Sequence, residues 1–355
     1  MKQVSLLFAA SFIIGLAILF ATRFVEPPVG ESDAAIHVFN WGEYIDPDLL
    51  DAFTEETGIR VIYETFDSNE AMLVKINQGG TSYDLAMPSE YMVEKMAERD
   101  MLVNLDHTQL PNLEHIGEQF LGLDFDPQNK YSVPYFWGTV GVLFHPEKTD
   151  LDFTSWDMLW DESLRNEILL VDSAREVMGF ALNSMDESLN SKDPDKLQEA
   201  LDKLIELAPN VRGVVGDEIM QMMINNESIA AVIWSGSARD VMWENEDLDY
   251  VVPEGGSNLW FDTFVIPKTA NNIEGAHAFI NFMLEPENAA QNADYVGYST
   301  PNETGLALLD EAEQEDTRFY PTEEQQASLE VYKNLGLENL GIYNELFLKF
   351  KMNLE

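Results

Sequence analysis

The chain has 355 residues, 64 Asp and Glu against 20 Lys and Arg, a formal charge of -44 at pH 7, and no cysteine. That length predicts two domains with ordinary cores, and the missing cysteine excludes disulfide frameworks, Cys-ligated zinc, iron-sulfur clusters and thiol catalysis. A phosphate-binding face is hard to assemble from so few cations against this field, which argues against nucleic acid and for cationic ligands, although a solvated or salt-adapted surface is the plainer account.

With 45% hydrophobic and 11% aromatic residues, the chain has the material to fold, unlike an acidic disordered segment. Lys2 precedes an uncharged run from Val4 to Ala21, followed by Thr22, Arg23 and a spacer at 26–33 that contains Pro27, Pro28 and Gly30. A basic end, a long apolar stretch and a polar spacer predict export, with residues 1–34 a signal peptide or an uncleaved membrane tether.

Beyond the spacer, strands alternate with helices. A strand is expected at 36–41, then a helix opened by Asp46-Pro47 and closed by Gly58, with Leu49, Leu50 and Phe53 on one face. A strand at 60–63 leads to Asp67-Ser68-Asn69-Glu70, whose spacing predicts a capping box, and a third strand follows at 83–87. This order fits an open α/β sheet with binding loops beyond the strand ends. A second unit is expected from about 135–144, with strands at 168–171, 229–234 and 260–266 and helices from Ser173, at 193–208 and at 271–284. No glycine fingerprint for nucleotide phosphates follows any strand.

The strand ends carry the chemistry. Asn40-Trp41-Gly42-Glu43-Tyr44, Pro88-Ser89-Glu90-Tyr91, Asp172-Ser173-Ala174-Arg175-Glu176, Trp234-Ser235-Gly236-Ser237, Trp260-Phe261-Asp262 and Tyr298-Ser299-Thr300 each set aromatic, acidic or hydroxyl groups beside an apolar run. Taken singly, each has a plainer reading: packed rings, a solvated Glu43, and helix N-caps at Ser89 and Ser173, where Glu176 completes capping-box spacing. Taken together, they predict carboxylates that accept bonds from ammonium groups and rings that cover an alkyl chain, provided the fold gathers them into one cleft.

These motifs, with ETGIRVIYETFDSNE at 56–70, YDLAMPSEY at 83–91, LWFDTFVIP at 259–267 and GYSTPN at 297–302, resemble the periplasmic polyamine-binding proteins, the spermidine/putrescine receptors of ABC importers, over almost the whole chain after residue 34. The resemblance implies a two-lobed periplasmic binding protein of type II, with open mixed sheets, flanking helices and a ligand cleft between lobes. One lobe would comprise 35–138 and 264–308, the other 139–263 and 309–355. It implies a monomer in the periplasm that closes on a polyamine and delivers it to a cognate inner-membrane ABC permease, with no cofactor, metal or nucleic acid. The cleft residues it implies are Trp41, Glu43, Tyr44, Ser89, Tyr91, Glu176, Trp234, Trp260, Asp262 and Tyr298. Four positions depart from the family: Gly42 stands beside Trp41 where a hydroxyl is usual, Ser173 and Ser237 stand where some members carry aspartate, and Lys333 falls near the family's C-terminal glutamine contact.

The physics of such a pocket is independent of the family. Each methylene removed from water contributes about 0.8 kcal/mol, a cation-π contact about 0.5–2 kcal/mol, and the carboxylates locate the charges against a desolvation cost. Two alternatives stand beside it: a receptor for another cationic solute or a metal ion, and a glycoside hydrolase working through paired carboxylates. His37, His107, His115, His145 and His277 show no close metal-ligand spacing, and Ser235-Gly236-Ser237 is not a nucleophile elbow.

Overall fold

In the computed structural model, residues 35–354 are described; the predicted export signal lies outside them. Apolar runs with β-branched residues form strands between helices, several of which open on a side-chain cap. β1 (Ala35–Trp41) leads into α1 (Pro47–Thr57), where the Asp46 side chain accepts from the Asp48 amide and Pro47 takes the first turn, whose amide needs no partner. Gly58 ends α1 in the left-handed region at φ 73°, as a glycine C-cap does. After β2 (Arg60–Phe66), α2 (Asn69–Gln78) is capped by Ser68, which accepts from the Ala71 amide at 3.2 Å. The expected Asp67/Glu70 box does not form, because the extended backbone at Ser68 moves the cap one residue on.

The third strand is shorter than expected: β3 is only Leu85–Ala86, and the chain turns at Pro88 into α3 (Glu90–Glu98). β4 (Ser132–Phe144) is buried along its whole length. It does not open a separate unit. Its first part pairs with β9 (Leu259–Val265) and its last part with β7 (Ala230–Trp234) and β8 (Asp249–Val251), so one strand runs through both halves of the molecule. Between them come β5 (Ile168–Val171), α4 (Ala174–Asn183), α5 (Pro194–Leu207), β6 (Val211–Val215) and α6 (Glu218–Ile224), and then α7 (Ser235–Glu244). α8 (Ile273–Met283), α9 (Pro286–Val296) and α10 (Gly336–Lys351) complete the longer helices.

The strand order is β2-β1-β3-β9-β4-β7-β5-β6, with β8 paired to β4 off this path. β1, β2 and β3 are mutually parallel, as are β5, β6 and β7, while β9 and β4 run antiparallel to their neighbours at the centre. This is the mixed sheet with flanking helices that the alternation predicts. The 138/139 and 263/264 positions taken as lobe limits fall inside β4 and β9, the two strands that link the β1–β3 half to the β5–β7 half. Among the described residues, no helix is long and apolar enough to cross a membrane.

Candidate ligand-binding site

The two central strands place the site. Trp260 and Asp262 are two residues apart on β9 and so project from one face of the sheet. Gly138 lies opposite Trp260 on β4, and a Cβ there would overlap the indole, so the glycine is what lets the ring lie against the strand.

Asp262 is 6% exposed and held from two elements. Ser89 Oγ donates to its Oδ1 at 2.7 Å and Tyr44 Oη to its Oδ2 at 2.7 Å. Ser89 occupies the N-cap position of α3, yet its hydroxyl makes no bond to the helix amides. The expected cap fails because the carboxylate competes for the same hydroxyl. Asn69 fixes that hydroxyl: its Nδ2 donates to Ser89 Oγ and to Tyr91 Oη, each at 3.0 Å, and its Oδ1 accepts the Ser89 amide at 3.0 Å. Burial pushes the Asp262 carboxyl up to about 6, against the pull of the Ser89 and Tyr44 hydrogen bonds. At neutral pH it is ionised, and among the described residues no cationic side chain pairs with it.

Rings enclose this carboxylate. Tyr298 meets Tyr44 edge-on at 5.2 Å and Trp260 edge-on at 5.3 Å between centroids. Tyr298 follows Gly297, which closes α9 with φ 81°, and its hydroxyl lies 3.1 Å from Ser237 Oγ. Its ring rests on Gly236, the second residue of α7, where a Cβ would overlap it. Thus α7 of the β5–β7 half and the Tyr44 turn of the β1–β3 half meet on one tyrosine.

A second carboxylate lies on α4. Glu176 is buried; Ser173 Oγ donates to its Oε2 and Trp234 Nε1 to its Oε1 at 3.4 Å. Ser173 therefore sits at the N-cap without capping, like Ser89, and for the same reason. Tyr91, from the other half, lies close enough that Glu176 helps to raise its phenol, after the larger effect of burial. A void bordered by Glu176, Phe180, Asn183, Ser257, Asn258 and Tyr332 continues past this end.

The structure thus gathers Tyr44, Ser89, Tyr91, Trp260, Asp262 and Tyr298 in one connected network and sets Glu176 with Trp234 on the facing half. Trp41 packs at the edge, its ring 4.5 Å from that of Phe66. Its indole NH is buried without a partner among the described residues. Glu43 stands apart: it is exposed, at φ 50°, in the turn that delivers Tyr44. Its charge acts on Asp240 of α7, whose carboxyl burial raises to about 6, with Arg239 opposing and Glu43 adding to the rise.

Three contributors escaped the reading of the motifs. Asn69 looked like part of a capping segment, and only its 20-residue reach to Ser89 reveals its role. Glu90, between Ser89 and Tyr91, is fully buried; its Oε2 accepts the Phe261 amide at 2.9 Å and its Oε1 has no hydrogen-bond partner among the described residues. Tyr332, beside Lys333, stacks on the Arg175 guanidinium at 4.0 Å, and its buried hydroxyl has no hydrogen-bond partner among the described residues. Lys333 itself points out, 3.5 Å from Asp124.

A linking double-half sheet with a buried, ring-walled carboxylate between the halves is the arrangement of a solute receptor, and the chain belongs to the bacterial extracellular solute-binding protein family, whose model matches residues 48–319. The spermidine/putrescine-binding periplasmic protein of Escherichia coli (strain K12) is 36% identical over 323 residues, covering 90% of this chain and 92% of that one. The putrescine-binding periplasmic protein SpuD of Pseudomonas aeruginosa (strain UCBPP-PA14) is 30% identical, covering 95% and 97%. The structure of the spermidine/putrescine ABC transporter substrate-binding protein PotD from Streptococcus pneumoniae superposes with a TM-score of 0.84 at 53% identity, covering 91% of this chain and 100% of that one. These relatives are binding proteins rather than enzymes, and the hydrolase alternative falls with that finding.

Proposed function

We propose that this chain captures a protonated polyamine, spermidine or putrescine, outside the cytoplasm and passes it as a monomer to an inner-membrane ABC permease. The lobes in this reading are 35–138 with 264–308 and 139–263 with 309–355, joined by β4 and β9. The observation that carries it is Asp262: a buried, ionised carboxylate with tyrosine and tryptophan rings around it and no cationic side chain paired with it among the described residues. Each of its oxygens accepts one protein hydrogen bond and keeps a second lone pair for an ammonium donor. Glu176, facing it across the cleft, would take the next amine, while Tyr44, Trp260, Tyr298, Tyr91, Trp234 and Trp41 cover the methylenes. Glu43, at the mouth, adds to the field that draws the cation in rather than gripping it. The export reading is supported by the family and by the apolar run before residue 35; the tether rests on that run alone.

The test is calorimetry with spermidine, putrescine and singly charged butylamine in excess chelator. Both polyamines should bind saturably and butylamine far more weakly. Asp262→Asn and Glu176→Gln should each weaken polyamine binding about 100-fold or more, since each leaves a desolvated ammonium unpaired. Equal binding of butylamine, or affinity untouched by both substitutions, would reject the reading.

A further inference from the structure

Residues 330–334 form a strap rooted on the β5–β7 half. The Leu259 amide donates to Glu330 O at 2.9 Å, Asn190 Nδ2 to Val331 O at 2.9 Å, and the Lys333 amide to Asn190 Oδ1 at 2.9 Å. Arg175 tightens the root: its Nη2 donates to Asn190 Oδ1 at 2.9 Å and its guanidinium stacks on Tyr332. Two residues further on, the strap reaches the other half. The Asn334 amide donates to Glu94 Oε2 at 2.7 Å, Asn334 Nδ2 donates to Glu98 Oε2 at 2.9 Å, and Lys333 Nζ pairs with Asp124. Glu94 and Glu98 lie one turn apart on α3, whose Met92, Val93 and Met96 are packed with Phe39 and Phe66 in the β1–β3 core.

We propose that Asn334, with Glu94 and Glu98 as its receivers on α3, is a closing latch that sets how tightly the receptor holds its ligand without touching that ligand. The geometry supplies the argument. The strap is fixed to one half by bonds from several elements and to the other by two hydrogen bonds and one ion pair to carboxylates, so separation of the halves breaks the second set and leaves the first intact. Bonds to charged acceptors are stronger than neutral ones, and these exist only in the closed arrangement, so they add to the closed population whatever occupies the cleft. A ligand then binds with an affinity scaled by that population.

The inference rests on the receptor reading only for its affinity arm. Full-length protein labelled on the two halves would be followed by single-molecule energy transfer without ligand, and by stopped-flow with spermidine. Glu94→Ala combined with Glu98→Ala should raise the open fraction of the ligand-free protein and weaken spermidine binding about tenfold, mainly through faster dissociation. Glu94→Gln, which keeps an acceptor oxygen, should restore most of the loss. Asn334→Ala and Glu98→Ala should not add to one another, since they remove the same bond. An unchanged open fraction and dissociation rates within twofold in the folded variants would overturn the latch. If the wild type binds no polyamine but the open fraction still shifts, the latch stands and the ligand assignment fails.

Discussion

At the scale of single residues, the cleft is a set of acidic groups held where water cannot solvate them, and their neighbours decide their charge. Asp262 stays ionised at neutral pH because two hydroxyls donate to it. The Phe261 amide donates to one oxygen of Glu90 and the other has no hydrogen-bond partner among the described residues; burial pushes the carboxyl up to about 8, Asp262 adds to the rise, and the Phe261 amide, the residue's own amide and the Arg175 charge oppose it. A carboxyl raised in the folded state keeps its proton there after the unfolded chain has released its own. The folded state therefore binds more protons between the ordinary glutamate range and about pH 8, and stability from this group falls as pH rises through that window. The slope is at most about 1.4 kcal/mol per pH unit. Glu90→Gln carries no such charge, so its urea midpoint should gain on the wild type between pH 5 and pH 8 and run parallel above that. Parallel profiles throughout would mean that Glu90 is ionised in the fold at neutral pH.

Among elements, the end of each strand and the start of the next helix do the positioning, and they also mark how far the sequence could be read. Asp46-Pro47, Gly58, Asp193-Pro194 and Asn272 have local chemistry that states a helix boundary, and the helices begin and end where that chemistry puts them. Ser89 and Ser173 have equally good local chemistry and do not cap, because Asp262 and Glu176 take their hydroxyls. The first competitor is 173 residues away, and no local pattern shows it. β3 shortens for a related reason, since Ser89 pairs with Asp262 of β9 once the chain has turned. The aromatic-acid motifs were legible as a group because most follow a strand directly, although Trp260 and Asp262 lie inside β9 and Tyr298 follows α9; Asn69 and Tyr332 were not, since their partners come from distant segments. Gly236 tests the element scale directly. Gly236 sits in the first turn of α7, where alanine gains less than the roughly 1 kcal/mol of a helix interior, and the added Cβ would enter the space of the Tyr298 ring. Gly236→Ala should leave the melting temperature within a few degrees and weaken polyamine binding at least about tenfold, as Tyr298 is pushed from Tyr44 and Trp260. Unchanged affinity would show that the ring is not part of the pocket wall.

On the scale of the whole molecule, a formal charge of -44 is far more than a site of a few carboxylates uses. The surplus lies mainly on exposed faces, where it contributes little to any single contact, but it sums to a field that reaches well beyond the surface at low salt. A polyamine carries its charges toward that field, and Glu43 and Asp240 stand close together in the turn and helix that flank Tyr298. Screening separates this long-range attraction from the grip of the closed cleft. The Debye length is about 10 Å at 0.1 M salt and about 3 Å at 1 M, so steering fades across that range while the proposed bonds of the ligand to the buried Asp262 and Glu176 are screened far less. Stopped-flow binding of spermidine should therefore show an association rate that falls about tenfold or more between 0.02 and 0.5 M sodium chloride, with a dissociation rate that changes much less. Putrescine, with fewer positive groups, should show the shallower slope. Salt dependence that appears chiefly in dissociation would place the working electrostatics in the open contacts of the latch, Lys333 with Asp124 and Asn334 with Glu98, instead of in the outer field.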